Sequence, residues 1–211
     1  MISIMIADDH ALVVSGLTAL LDAEHGMSVA VVVTSAEEVM PAARETRPDV
    51  ALLDIQLPGE KDGIEITAEL RAELHRTQVV VMTGVTGAAG QVRRAQRAGA
   101  AGFLAKTAPI ATFVAAIRKV AQGGSAYDPV LLTAAAALGP SPLTPREHQI
   151  LVELARGADT KRIARSMGLA LGTVRNHQTA LLAKLGMATP LAAVRAASAN
   201  GWLNPGQWVQ S

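Results

Sequence analysis

The chain has no cysteine, so it can form neither a disulfide nor a thiolate metal site. That absence suits a reducing cytosol. Aromatics are almost missing, at 2% of 211 residues. The core must therefore come from Ala, Val, Leu and Ile, which the 50% hydrophobic content supplies. No apolar run approaches the ~18 residues that a membrane helix needs. Met1–Ala7 is strand-like and lacks the basic lead of a secretory signal. A cytoplasmic protein with no membrane partner is expected. Net charge is small, formally +1, but it is unevenly spread. Residues 1–125 carry 11 Lys and Arg against 14 Asp and Glu, while residues 126–211 carry 8 against 4. An acidic front and a basic back suggest two modules with different partners.

Four short apolar or β-branched runs, Ile4–Ala7, Val50–Leu53, Val79–Met82 and Gly102–Ala105, each end at a polar residue. Those residues are Asp8-Asp9, Asp54, Thr83 and Lys106. The intervening segments are long enough for helices, which predicts βα repeats and a parallel sheet. Strands are expected at Ser3–Ala7, Val29–Thr34, Val50–Asp54, Gln78–Thr83 and Gly102–Ala105. Helices are expected at Ala11–Asp22, Ala36–Thr46, Gly63–His75, Gln91–Ala98 and Ile110–Gln122. Gly84, Gly87 and Gly90 weaken helix propensity just before the fourth helix, so a movable segment is expected after Thr83. In such sheets the chemistry gathers at the carboxyl ends of the strands. Three carboxylates brought together there repel one another and call for a cation. Mg²⁺, with oxygen ligands and room for a phosphoryl oxygen, fits that need. His10 is expected to pack or to cap the first helix, and His25 and His75 to lie at the surface.

Gly123-Gly124-Ser125 stops the fifth helix, Pro129–Leu138 can form a short one, and Gly139-Pro140-Ser141-Pro142 is a stiff break. This divides the chain into residues 1–121, a partly helical linker 122–141, and residues 142–211. The last part opens on Thr144-Pro145-Arg146-Glu147, a capping box with Pro at the first helical position. Helices are expected from there to Ala155, over Thr160–Met167, over Thr173–Leu185, and from Pro190 to Ala199. Four short helices with a tight turn before the third suggest a helix-turn-helix. On the third helix Val174, Gln178, Leu181, Leu182 and Leu185 gather toward the core. Asn176, Thr179 and Ala183 face away, with Arg175 and His177 on the flanks. Such a face suits a DNA major groove, where Asn can pair with adenine and Arg with guanine or phosphate. Thr173 and the helix amino end can meet a phosphate, and Lys161, Arg162 and Arg165 add charge nearby.

The front half resembles the receiver domain of two-component response regulators. Ala7-Asp8-Asp9-His10, Leu53-Asp54-Ile55-Gln56-Leu57-Pro58-Gly59, Met82-Thr83-Gly84 and Gly102-Phe103-Leu104-Ala105-Lys106 carry the resemblance. The back half resembles the LuxR-type DNA-binding domain of NarL/FixJ regulators. There the matching text is Leu143–Glu147, Gly157–Ala164, Gly172–His177 and Leu182–Gly186. The resemblance implies a flavodoxin-like (βα)5 receiver followed by an all-α four-helix DNA-binding domain. It implies Asp54 as phosphoryl acceptor, and Asp8, Asp9, Asp54 and the Gln56 main-chain carbonyl as Mg²⁺ ligands. Thr83 and Lys106 would meet phosphoryl oxygens, and Thr83 and Phe103 would act as the switch pair. It places base contacts on Arg175, Asn176 and Thr179, and DNA-backbone contacts on Lys161, Thr173, His177 and Lys184. The implied partners are a sensor histidine kinase, double-stranded DNA and, once phosphorylated, a second copy of the chain. Pro190–Ala199, with Leu191 and Val194, is a candidate dimer helix.

Three positions depart from the family. The loop Pro58–Gly63 is one residue longer, Gly84 replaces a commoner Ala, and Ala170 replaces a Ser that would cap the third helix of the back module. The expected function is a phosphorylation-dependent transcription factor rather than an enzyme. One rival is a DNA-binding regulator with a vestigial receiver. Another is an aspartyl-phosphate phosphatase, although that chemistry wants a second acid where Gln56 stands.

Overall fold

The computed structural model describes residues 1–84, 89–137 and 139–203. Gly87 in the expected movable segment, Leu138 at the end of the linker helix, and residues 204–211 of the back module lie outside the described residues.

The βα alternation is realised as β1 (Ile2–Ala7), α1 (Ala11–Asp22), β2 (Met27–Val33), α2 (Ala36–Thr46) and β3 (Val50–Asp54). It continues through α3 (Gly63–Glu73), β4 (Gln78–Thr83), α4 (Ala89–Arg97), β5 (Gly102–Ala105) and α5 (Ile110–Ala121). The strands form one parallel sheet in the order β2-β1-β3-β4-β5, with a sixth, β6 (Ala126–Tyr127), beside β5. Central strands are covered on both faces, which is why they read as unbroken apolar runs. The period of two then sorts them into two cores. Met5, Leu53, Val81 and Phe103 pack with α2, α3 and α4 residues such as Val39, Leu70 and Val92. Ile4, Ile6, Leu52, Val80 and Leu104 pack with Leu17 and Leu21 of α1 and Ile117 of α5. Ser35 with Glu38, and Asp62 with Glu65, close capping boxes that start α2 and α3.

The sixth strand, β6 (Ala126–Tyr127), was not among the five expected. Two residues are too short for a periodic signal to show. Ala126 N–H donates to Ala101 O at 2.9 Å, Asp128 N–H to Phe103 O at 3.2 Å, and Tyr127 Oη to Ala100 O at 2.5 Å. Asp128 then accepts from Val130 N–H at 2.8 Å and so starts α6 (Pro129–Ala137). Ala135 of α6 is buried in the same core cluster as Phe103, with Leu131 and Leu132 packed against it. The linker thus lies on the sheet edge and on α4.

The back module folds as α7 (Pro145–Ala155), α8 (Thr160–Met167), α9 (Leu171–Leu185) and α10 (Pro190–Ala199) around Ile150, Leu151, Ile163, Val174, Leu181, Ala193 and Ala197. The helix α9 begins at Leu171, two residues before the expected Thr173, because nothing in Leu171-Gly172 prevents the turn from forming. Ala170 occupies its N-cap and provides no side-chain cap. The two modules meet where α4 touches α10. A Cβ on Gly90 would stand 2.2 Å from Ala199 O, and one on Gly201 would stand 2.1 Å from Gly90 O. Backbone therefore meets backbone with no space for a side chain. Among the described residues no single helix is long and apolar enough to cross a membrane.

Candidate functional site

Register brings the four polar positions onto one edge. Ala7 pairs with Leu53, Asp54 with Met82, and Thr83 with Ala105. Asp8, Asp54, Thr83 and Lys106 therefore follow one another across the carboxyl ends of β1, β3, β4 and β5. Lys106 N–H donates to Thr83 O at 2.8 Å, which starts its side chain back over the sheet edge. The ammonium then lies 2.8 Å from Asp54 Oδ2 and 2.7 Å from Asp8 Oδ2. All three side chains are nearly enclosed, at 10%, 2% and 0% exposure. Burial alone would lower the Lys106 pKa. Its hydrogen bonds to Asp54 and Asp8 outweigh that and hold it above the ordinary lysine value. The group is therefore a fixed cation throughout the neutral range.

Asp9 and His10 complete the cluster. Ligand atoms of Asp8, Asp9, His10 and Asp54 all lie within 4.8 Å of one another. His10, expected to pack or to cap α1, does neither with its side chain, which is 60% exposed and makes no cap bond. Its Nδ1 lies instead 3.1 Å from Asp8 Oδ1 and 2.8 Å from Asp9 Oδ1. Asp8 Oδ2 is buried against the Lys106 ammonium at 2.7 Å. Three carboxylates face one ammonium, so a divalent cation would balance the cluster, and the oxygen donors suit a hard ion such as Mg²⁺.

Thr83 is buried, with Oγ1 3.5 Å from Gln91 Oε1 on α4. Phe103 is fully buried in the core beneath α4 and α6. Gln56 is exposed just past β3. Among the described residues a Cβ at Gly84 would meet only Lys106 Cδ at 4.0 Å, so the departure from Ala costs no fit there. The lengthened loop rests on α2, where Ala36 N–H donates to Pro58 O at 2.8 Å and Glu60 N–H to Glu37 Oε1 at 3.2 Å.

Two features here had no signal in the sequence. Gly63, read there only as a helix start, lies directly behind the Asp54 carbonyl. A Cβ on it would be 2.0 Å from Asp54 O. Arg94 of α4 is 5% exposed and donates to Asp62 Oδ2 at 2.7 Å, tying α4 to the cap of α3. Neither spacing nor periodicity marks a contact made across 32 residues.

On the back module Arg175, Asn176 and Thr179 are exposed along α9, and Thr173 and His177 are half-buried beside them. Lys161 is exposed on α8. Gln178, expected to turn inward, is half-buried and accepts from Thr160 Oγ1 at 3.2 Å. Lys184 donates to the buried Glu147 at 2.7 Å, so it links α9 to the start of α7. Val194 of α10 is in the module's core, while Leu191 is 61% exposed.

Burial would raise the Glu147 pKa, but hydrogen bonds from Lys184 and from Thr144 outweigh it and hold the carboxyl below its usual range. A carboxylate lowered on folding stabilises above its unfolded pKa of about 4.3, and that stabilisation disappears as pH falls through the folded value. Glu147→Gln should therefore cost about 1 kcal/mol at pH 7. The gap to the unsubstituted chain should close in acid when both are unfolded thermally across pH.

The response regulator receiver domain model matches residues 4–118, and the model of bacterial regulatory proteins of the luxR family matches residues 141–197. The chain is 33% identical to the transcriptional regulatory protein DesR of Bacillus subtilis, over 96% of this chain and 99% of that protein. It is 34% identical to the DNA-binding transcriptional activator DevR/DosR of Mycobacterium tuberculosis, over 89% of each. Among solved structures, the response regulator ChrA of a heme-sensing two-component system is 29% identical with a TM-score of 0.56, covering 93% of this chain and 96% of that one. RcsB dimers bound to DNA share the fold at a TM-score of 0.71 and 18% identity, covering 94% and 98%.

Proposed function

Because the chain belongs to the two-component response regulators, transcription factors that join a receiver to a LuxR-type DNA-binding domain, we propose that Asp54 is its phosphoryl acceptor. The observation that carries this reading is the Lys106 ammonium shared between Asp54 and Asp8 at the sheet edge. A sensor histidine kinase is the donor. An Asp54 oxygen forms the new P–O bond as the bond from phosphorus to the donor's leaving group breaks, giving an acyl phosphate. Lys106 offsets charge on the phosphoryl oxygens, and fixed positions do most of the remaining work. Asp8, Asp9, Asp54 and the Gln56 carbonyl would hold Mg²⁺, which when bound adds further charge compensation. The protein acts in the cytoplasm as a regulator and not as a turnover enzyme.

The product puts about −1.5 to −2 of phosphoryl charge beside Thr83 in place of the carboxylate's single charge. Thr83 turns its hydroxyl toward that charge and leaves Gln91, Phe103 follows into the space vacated, and α4 adjusts. Since Gly90 meets α10 with no side chain between them, a shift of α4 reaches the back module directly. Residues 1–121 receive the signal, 122–141 carry it and 142–211 read DNA. The modified chain dimerises, with Leu191 of α10 available to a second copy, and the pair reads two half-sites. Arg175, Asn176 and Thr179 take base edges. Thr173, His177, Lys161 and Lys184 take the DNA backbone, Lys184 from within its pair with Glu147.

Operator binding measured with and without acetyl phosphate and Mg²⁺ tests this. The phosphodonor should tighten binding of the unsubstituted chain. Arg175→Ala should still be phosphorylated yet lose specific affinity by about 1–3 kcal/mol. Affinity indifferent to the donor would favour the vestigial receiver. Unchanged affinity in Arg175→Ala would reject that base contact.

A further inference from the structure

We propose that Arg94 is a positioning residue, whose pair with Asp62 latches α4 in its resting seat and so makes Asp54 harder to phosphorylate. This rests on the reading that Asp54 accepts the phosphoryl group and that α4 adjusts in response.

Asp62 ends the lengthened loop and precedes Gly63, whose backbone lies directly behind the Asp54 carbonyl. Gly63 N–H donates to Ile55 O at 3.0 Å, so this turn is fastened to the end of β3. Asp62 Oδ1 accepts from Ile64 N–H at 3.0 Å and from Glu65 N–H at 2.9 Å, which starts α3. Its Oδ2 accepts from Arg94 Nη2 at 2.7 Å. One carboxylate thus ties α4 to the backbone that supports the acceptor.

Four ties of α4 fall within five residues. Gly90 meets α10, Gln91 meets Thr83, Arg93 donates to Gly139 O of the linker, and Arg94 donates to Asp62. The Gln91 contact is the one that Thr83 gives up when it turns to the phosphoryl group. Arg94 stands three residues further on, one turn along the same face. Of the four ties, its pair alone joins opposite charges. It does so at 5% and 17% exposure, where solvent screens little. The contact uses Nη2, and among the described residues the buried Nε has no hydrogen-bond partner. It therefore falls short of the two-bond fork that a guanidinium can form, so it holds α4 and can still let go.

Linkage gives the consequence. If a phosphoryl group on Asp54 favours the shifted α4, then freeing α4 favours the phosphoryl group by the same factor. Equilibrium binding of beryllofluoride, a phosphoryl mimic, reads that factor on the full chain with Mg²⁺, followed by ¹⁹F magnetic resonance. Arg94→Gln should bind beryllofluoride at least about fivefold more tightly than the unsubstituted chain. Charge alone argues the other way, since the variant loses a cation near an anion site. Damage to the fold would also weaken binding, so tightening identifies the latch. Asp62→Asn keeps an oxygen for the α3 cap and breaks the pair from the other side. Added to Arg94→Gln, it should tighten binding by less than it does alone.

Affinity of Arg94→Gln equal to or below that of its parent, with helix content intact, would overturn the latch and leave the acceptor site standing. So would effects of the two substitutions that simply add. Should Arg94→Gln not fold, Asp62→Asn decides, and unchanged affinity there overturns the latch. No beryllofluoride binding by the unsubstituted chain would overturn the acceptor site and the latch together.

Discussion

Asp54→Asn will take up no phosphoryl group from acetyl phosphate under conditions in which the unsubstituted chain takes up one. Asparagine keeps the shape of the side chain but replaces the attacking carboxylate oxygen with an amide, which is no nucleophile for phosphorus. Loss should be complete, because the neighbouring acids are poor substitutes. Asp8 is fully buried and shares the Lys106 ammonium, and Asp9 is paired with His10 outside the strand edge. Intact-mass measurement before and after hydroxylamine, which cleaves acyl phosphates, reads the result. A hydroxylamine-sensitive phosphoryl group on the Asp54→Asn variant would move the acceptor elsewhere and undo the assignment. The variant should still fold, since Lys106 keeps its partner in Asp8 at 2.7 Å.

Gly63→Ala should destabilise the chain by about 3 kcal/mol. Helix propensity argues for the opposite sign, because Ala is favoured over Gly inside a helix by roughly 0.5–1 kcal/mol. Sterics decide the matter. The new Cβ would sit 2.0 Å from Asp54 O and 2.8 Å from Asp54 C. Both are backbone atoms, so no rotamer change can make room. Either α3 or the end of β3 must shift, and the second displaces the acceptor. Chemical denaturation with the rate of phosphoryl uptake separates the two outcomes. Gly84→Ala is the matched comparison, since among the described residues its Cβ meets nothing closer than 4.0 Å and it should behave like the unsubstituted chain. A Gly63→Ala chain as stable and as reactive as its parent would show that the backbone does not pass so close there.

Most of this architecture was legible in the residues themselves. Ala36–Thr46, Pro145–Ala155 and Pro190–Ala199 form helices over the expected bounds, because Ser35 with Glu38, Thr144-Pro145 and Thr189-Pro190 mark their starts. The edge at Asp8, Asp54, Thr83 and Lys106 could be foreseen because strand ends in a parallel sheet share a side. Long-range fit could not. The Gly63 approach to Asp54 and the Arg94 pair with Asp62 depend on how α3 and α4 sit, which no local pattern encodes. His10 illustrates the same limit. Its place after two acids suggests a cap, whereas the strand geometry turns its ring onto the acids instead. Lys184 is a further instance, since its tie to Glu147 depends on α7 crossing α9.

The seating of β6 and α6 on the sheet has a consequence for evolution and for engineering. Exchange of output modules between such proteins, by gene fusion or by design, succeeds only where the cut spares the join. Severing the chain at Ala121 would remove Tyr127 from Ala100 and lift Ala135 out of the Phe103 cluster, leaving a sticky flank on the sensor half. A transplant that travels with its own tail through Ala137 keeps that flank sealed. The natural unit of inheritance for this input half is therefore the sheet together with the strap that crosses its edge.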